Sequence, residues 1–153
     1  MIKVAIIGLG IMGRRMLQHM RIHEKFEPNY LWDPDKTACQ KAIEIDSEAK
    51  IMNSPEEAID AADLVYLACP PQVREAHAIQ TAQKGKALFL EKPLGIDIDH
   101  SKSLINKLKG FNVPLAVNFT QAAGPALNDL IKAKSAGELG EMIGVDIIVT
   151  YPK

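Results

Sequence analysis

Residues 2–13 read Ile-Lys-Val-Ala-Ile-Ile-Gly-Leu-Gly-Ile-Met-Gly. Ile2 to Ile7 is apolar except for Lys3. A run of this kind, without alternation, marks a strand buried on both faces, as in a parallel sheet. Gly8, Gly10 and Gly13 follow at once as G-x-G-x-x-G, directly after the strand and at the opening of a helix. Gly8 permits the tight turn, Gly10 lets a pyrophosphate approach the backbone, and Gly13 lets helix and strand pack closely. The N–H groups of Ile11 and Met12 then face the phosphates with the positive end of the helix dipole. The competing reading is a glycine-rich turn without a ligand.

Asp33 lies twenty residues beyond Gly13. At the end of a second strand, a carboxylate there accepts hydrogen bonds from the adenosine ribose hydroxyls and repels a 2′-phosphate. That favours NAD over NADP, although Lys36 nearby softens the argument. Asp33 also reads as an ordinary Asp-Pro turn residue.

The same alternation continues along the chain. Strands are expected at 29–32, 50–52, 64–69, 87–90 and 114–119. Helices are expected at 11–24, 37–45, from Pro55, at 72–84, 98–109 and 125–136. Ser54, Pro55 and Glu57 make a capping box, and Asp97 is a cap closed off by Gly110. Strands separated by helices require crossover connections, hence a parallel sheet with helices on both faces. The expected class is α/β, a Rossmann-type doubly wound sheet in the order 3-2-1-4-5-6. Residues 1–120 then form a dinucleotide-binding domain. Ile143, Val145, Ile147 and Val149 alternate with Gly144, Asp146, Ile148 and Thr150, the pattern of a one-face antiparallel strand. Residues 121–153 are therefore expected to start a truncated second, C-terminal substrate domain. Its unpaired strand invites homo-oligomerisation through residues 142–150.

The 153 residues are 47% hydrophobic and 24% charged, with 18 basic and 19 acidic side chains. That is globular composition, without the basic excess of a nucleic-acid binder. Cys39 and Cys69 are too few for a disulfide framework and read as reduced thiols. No apolar run reaches bilayer length and no signal peptide is visible, so the expected location is the cytoplasm. His19 and His23 are four apart but lack a third ligand, and read as surface histidines rather than a metal site. His77 reads as structural, and Met12, Met16 and Met20 as core packing.

Glu91-Lys92-Pro93 follows the fifth strand at its carboxyl end, where ligands bind in such sheets. A lysine there can hydrogen-bond a substrate hydroxyl and help move its proton, provided burial tunes it. Lone loop lysines are more commonly just solvated. With Gly8–Gly13, Cys69-Pro70-Pro71, residues 85–95 (GKALFLEKPLG) and residues 125–142, the chain resembles the glucose–fructose oxidoreductase, inositol dehydrogenase and rhizopine-catabolism family. The resemblance implies an NAD(P)-dependent oxidoreductase acting on a sugar, polyol or related substrate. It implies that Lys92 is the catalytic lysine and the Lys92–Pro93 bond is cis. Glu91 would set the nicotinamide side of the pocket, and Cys69, Pro70 and Pro71 would lie beneath the cofactor. Arg74 stands where the family often has a histidine, and Gln121 and Ala122 where it commonly has arginines. The family's second-domain aspartate and histidine have no counterpart, so this length of chain is expected to be inactive alone. A non-catalytic dinucleotide-binding regulator, an inactive fragment, and a transient-redox glycosidase remain open alternatives.

Overall fold

The computed structural model describes residues 1–120, 124–141, 143–146, 148 and 150. Six strands form one sheet in the order β3-β2-β1-β4-β5-β6, every pairing parallel. The strands are β1 (Ile2–Ile7), β2 (Phe26–Trp32), β3 (Lys50–Ile51), β4 (Leu64–Leu67), β5 (Ala87–Leu90) and β6 (Leu115–Val117). Between and after them run α1 (Ile11–Arg21), α2 (Lys36–Ile43), α3 (Pro55–Ala61), α4 (Pro71–Gln83), α5 (Ile98–Lys109) and α6 (Pro125–Ser135). The expected order and alternation are those observed. Because all strands run the same way, the loops after β1, β2, β4, β5 and β6 gather at one edge of the sheet. The order reverses between β1 and β4, the place where such sheets open a crevice.

The unbroken apolar run of β1 is explained by two cores. Val4 and Ile6 join Leu17, Met20, Leu31 and Tyr66 on one face, and Ala5 and Ile7 join Ile59, Leu67, Leu90 and Leu104 on the other. Four consecutive β1 side chains are thus fully buried. On α1, Gly13, Leu17 and Met20 are buried and Met16 packs against them as the periodicity predicts, whereas Met12, expected in the same stripe, is half-buried and joins neither core because it sits in the first turn.

Several boundaries differ from the sequence expectation. β2 begins at Phe26, three residues before Asn29. Its register with β1 shifts between the Lys3↔Glu27 and Ala5↔Tyr30 pairs, which places Pro28 at a bulge. A proline cannot donate to a ladder, but a bulge accommodates it. α1 stops at Arg21 because residues 22–25 turn the chain into β2. β4 and β6 are shorter than predicted because their last residues leave the ladder to form site loops.

The chain divides into two compact units, Met1–Asn118 and Phe119–Lys153. In the second, none of α6 is buried, and Leu127, Leu130 and Ile131 are exposed. The expected strand over 143–150 is not present in its described residues: 143–146, 148 and 150 carry no regular structure. A strand is held by a partner ladder, and alternation alone supplies none. Ile147 and Val149 lie outside the described residues, as do Gln121 and Ala122. No helix among the described residues is long and apolar enough to cross a membrane.

Candidate cofactor cleft

A cleft of about 480 Å³ opens at the carboxyl edge of the sheet, on the first unit. Gly8 and Gly10 line it from the loop after β1, and Trp32 and Asp33 from the end of β2. Cys69 and Pro70 line it from the loop after β4, and His77 from α4. A second hollow of about 390 Å³ shares Trp32 and Asp33 and adds Lys36, Cys39 and Asn53.

The three glycines have separable roles. Gly8 has φ +96°, a conformation that disfavours a side chain, and a Cβ there would meet the Cys69 nitrogen at 2.5 Å. A Cβ on Gly13 would lie 1.8 Å from the Gly8 carbonyl oxygen. Both are dictated by close packing of the loop, α1 and β4. Gly10 differs: its φ is −63°, and a Cβ there would find nothing within 4 Å. Its bare backbone fronts the cleft. Gly10 is also the N-cap of α1 and offers no side-chain cap, so the first-turn N–H groups at Ile11 and Met12 are left for an anion. Ile11 itself is 79% exposed.

Asp33 is held in place by two main-chain donors. Its Oδ2 accepts from the Leu9 N–H at 2.6 Å and its Oδ1 from the Asp35 N–H at 2.8 Å. The carboxylate therefore fastens the glycine loop to the end of β2 while standing in the cleft wall. Arg14 donates to the Leu9 carbonyl at 2.6 Å from the other side. Cys39 and Cys69 are buried free thiols. Burial pushes both pKa values up, which suits packing rather than nucleophilic chemistry.

The Glu91-Lys92-Pro93 loop is built differently. Glu91 is 2% exposed, and its carboxylate turns inward. Glu91 Oε1 accepts from the Tyr66 hydroxyl and from Asn118 Nδ2, each at 2.6 Å, and Oε2 accepts from the Lys92 N–H at 3.0 Å. Burial, reinforced by Glu91, pushes the Tyr66 hydroxyl pKa up, so the phenol stays a donor. The Lys92–Pro93 bond is cis. The Lys92 side chain is exposed and, like Glu91, is not in the wall of the cleft. Pro71 opens α4 as its first residue and also stands outside the cleft wall.

Three residues were not singled out from sequence as cleft or loop builders. Trp32 faces the cleft, and its position just before Asp33 at a strand's carboxyl end was the available signal. His77, read as structural, is half-buried in the cleft and meets Trp32 edge-on with centroids 6.0 Å apart. Burial pulls its pKa down from 6.5, opposed by Glu56. Arg74, noted only as a departure, is buried beneath the loops. His19 and His23 are exposed, and the Nδ1 of His23 accepts from the Lys25 N–H.

A family model, the oxidoreductase family with an NAD-binding Rossmann fold, matches residues 2–119. The chain belongs to this family. The scyllo-inositol 2-dehydrogenase (NAD(+)) of Bacillus subtilis strain 168 is 30% identical over 149 residues, which covers 93% of this chain and 42% of that one. An inositol 2-dehydrogenase of Corynebacterium glutamicum strain R is 28% identical over 148 residues, covering 93% and 43%. Among solved structures, the myo-inositol 2-dehydrogenase of Lactobacillus plantarum matches with a TM-score of 0.81 at 22% identity, over 93% of this chain and 43% of that one. At that identity the match establishes the fold. The chain spans less than half the length of these relatives. An NAD-binding family and the cleft fit one another: a bare Gly10, an uncapped helix start and a fixed carboxylate are the groups that hold a dinucleotide.

Proposed function

We propose that this chain binds NAD(H) in the Gly8–Gly10–Asp33 cleft, in preference to NADP(H). It would support oxidoreduction of a sugar or polyol hydroxyl. Gly10 carries the reading. Neither its backbone angles nor its surroundings require glycine, and its open side faces the cleft beside the helix start. A pyrophosphate would rest there on the first-turn N–H groups of α1. Asp33 would accept from the ribose hydroxyls, and its charge would oppose a 2′-phosphate.

When bound, the nicotinamide supplies or accepts the hydride. The chain's own residues bind, orient and handle the proton. Cys69 and Pro70 form the wall beneath the cofactor, with Pro71 fixing the start of α4. Glu91 shapes the nicotinamide side through the backbone it ties down rather than through its buried carboxylate. Lys92 is the catalytic residue. Its neutral amine accepts the proton of the reacting hydroxyl as the carbon gives up hydride, and the resulting ammonium returns that proton in the reverse direction. The B. subtilis and C. glutamicum relatives are named as inositol dehydrogenases, which favours a polyol over other alcohols. The near-balance of 18 basic and 19 acidic side chains fits a small-molecule enzyme, which we place in the cytoplasm. Residues 142–150 provide the route to homo-oligomers. Calorimetry with both cofactors tests the site: NAD(H) should bind more tightly, and equal or tighter NADP(H) binding would sink the preference.

A further inference from the structure

Arg74 is 2% exposed, although an arginine is almost never buried without partners. Its partners are all main-chain carbonyls. Nε and NH2 donate to the Cys69 carbonyl at 3.1 and 2.6 Å, and NH1 donates to the carbonyls of Glu91 and Pro93. One planar fork thus joins the Cys69-Pro70 loop of the cleft to the residues on either side of Lys92. Only a guanidinium presents donors spaced to span these points. Glu91 does not depend on Arg74 for satisfaction, since Tyr66, Asn118 and the Lys92 N–H already fill its carboxylate.

We infer that Arg74 is a positioning residue. It fixes the Lys92 backbone against the cofactor cleft, so that an exposed side chain on a loop still points to one place. The inference rests on the reading of Lys92 given above. It assigns Arg74 no contact with cofactor or substrate.

The test is amine labelling of Lys92 by trinitrobenzenesulfonate, read by peptide mass spectrometry, with and without NAD⁺. Each variant is held at ten times its own measured Kd. In the unaltered chain a shielded amine should react roughly tenfold more slowly with NAD⁺ bound, as mass action requires. In Arg74→Met that protection should largely vanish. Amide exchange over residues 91–97 should rise roughly tenfold or more, the effect of losing charged hydrogen bonds. Arg74→Lys keeps the buried charge without the fork. It should show an intermediate loss, and it carries the test if Arg74→Met does not accumulate folded. Full protection in a folded Arg74 variant would overturn the positioning role and leave Lys92 untouched. No protection in the unaltered chain would overturn the placing of Lys92 beside the cofactor, and with it the purpose assigned to Arg74.

Discussion

Gly10→Ala and Gly13→Ala should fail in opposite ways. At Gly13 the new Cβ would begin 1.8 Å from the Gly8 carbonyl oxygen and 2.9 Å from its carbon, where ordinary contact starts at 3.4 Å. Both obstacles are backbone, and Gly8 cannot retreat because it already abuts Cys69. α1 must therefore shift off the sheet. Overpacking of a rigid site costs about 3 kcal/mol at its upper range. For a unit of this size that lowers Tm by roughly 10 °C. At Gly10 the new Cβ meets nothing, and the extended backbone there suits an L-residue. Folding should be unchanged, or favoured by up to about 1 kcal/mol through the unfolded chain. The methyl group would, however, occupy the approach to the helix start. NADH affinity should fall by tenfold or more, about 1.4 kcal/mol. Thermal unfolding and NADH titration on both variants check this. Gly10→Ala with unaltered NADH affinity would refute the pyrophosphate seat, and Gly13→Ala with an unaltered Tm would refute the packing argument.

Asp33→Ser should weaken NAD(H) more than NADP(H), because it removes both the ribose acceptor and the repulsion of a 2′-phosphate; calorimetry with both cofactors measures the ratio. It should also loosen the glycine loop, since the Leu9 N–H loses its partner. In a polypeptide that oxidises a polyol, Lys92→Ala should lower kcat by roughly two to four orders of magnitude, and near-normal turnover would remove the role. His77 has a folded-state pKa below its ordinary 6.5, so the unfolded chain takes up the proton first. Stability should therefore fall as pH drops below about 6.5, and His77→Gln should flatten that part of a melting-temperature series. Light scattering should show more self-association for the whole chain than for a version ending at Gly140, because Ile143 and Ile148 are exposed; equal behaviour would discard residues 142–150 as the contact.

The geometry of the candidate cleft was legible because it is local. Gly8 acts through its φ angle and its approach to Cys69, Gly13 through its approach to Gly8, and Gly10 through the open backbone it turns to the cleft; all three sit in one strand–turn–helix unit, and six residues of context name them. Asp33 was placed at the end of β2 because the Asp33-Pro34 pair marks where the strand stops. Periodicity found both faces of β1 and the buried side of α1. Periodicity could not decide 143–150, where alternation is visible but a strand also requires a ladder that the pattern cannot specify. It also missed the early start of β2, since a proline ordinarily ends a strand and only the pairing shows that Pro28 sits in a bulge.

The lysine half was legible as a motif but not as a mechanism. Sequence places Glu91 beside Lys92, and the resemblance gives it a place at the nicotinamide. The register turns its carboxylate inward, onto Tyr66, Asn118 and the Lys92 N–H. Tyr66 pairs with Phe89 across β4 and β5, and Leu90 pairs with Val117 across β5 and β6. Those pairings bring a phenol 25 residues upstream and an amide 27 residues downstream onto one buried oxygen. No spacing rule reads a triad that three parallel strands assemble. The same holds for Arg74. In sequence it is only a departure from the resembled family, an arginine where a histidine is common. In the fold it lies under two loops and donates to the carbonyls of Cys69, Glu91 and Pro93, which is why a charge is tolerated at 2% exposure. Burial lowers its pKa, with Cys69 and Glu91 opposing the shift, so the buried cation is tolerated because loop carbonyls surround it. The loop order and the buried charge therefore depend on each other, and a substitution that frees either loop should release both.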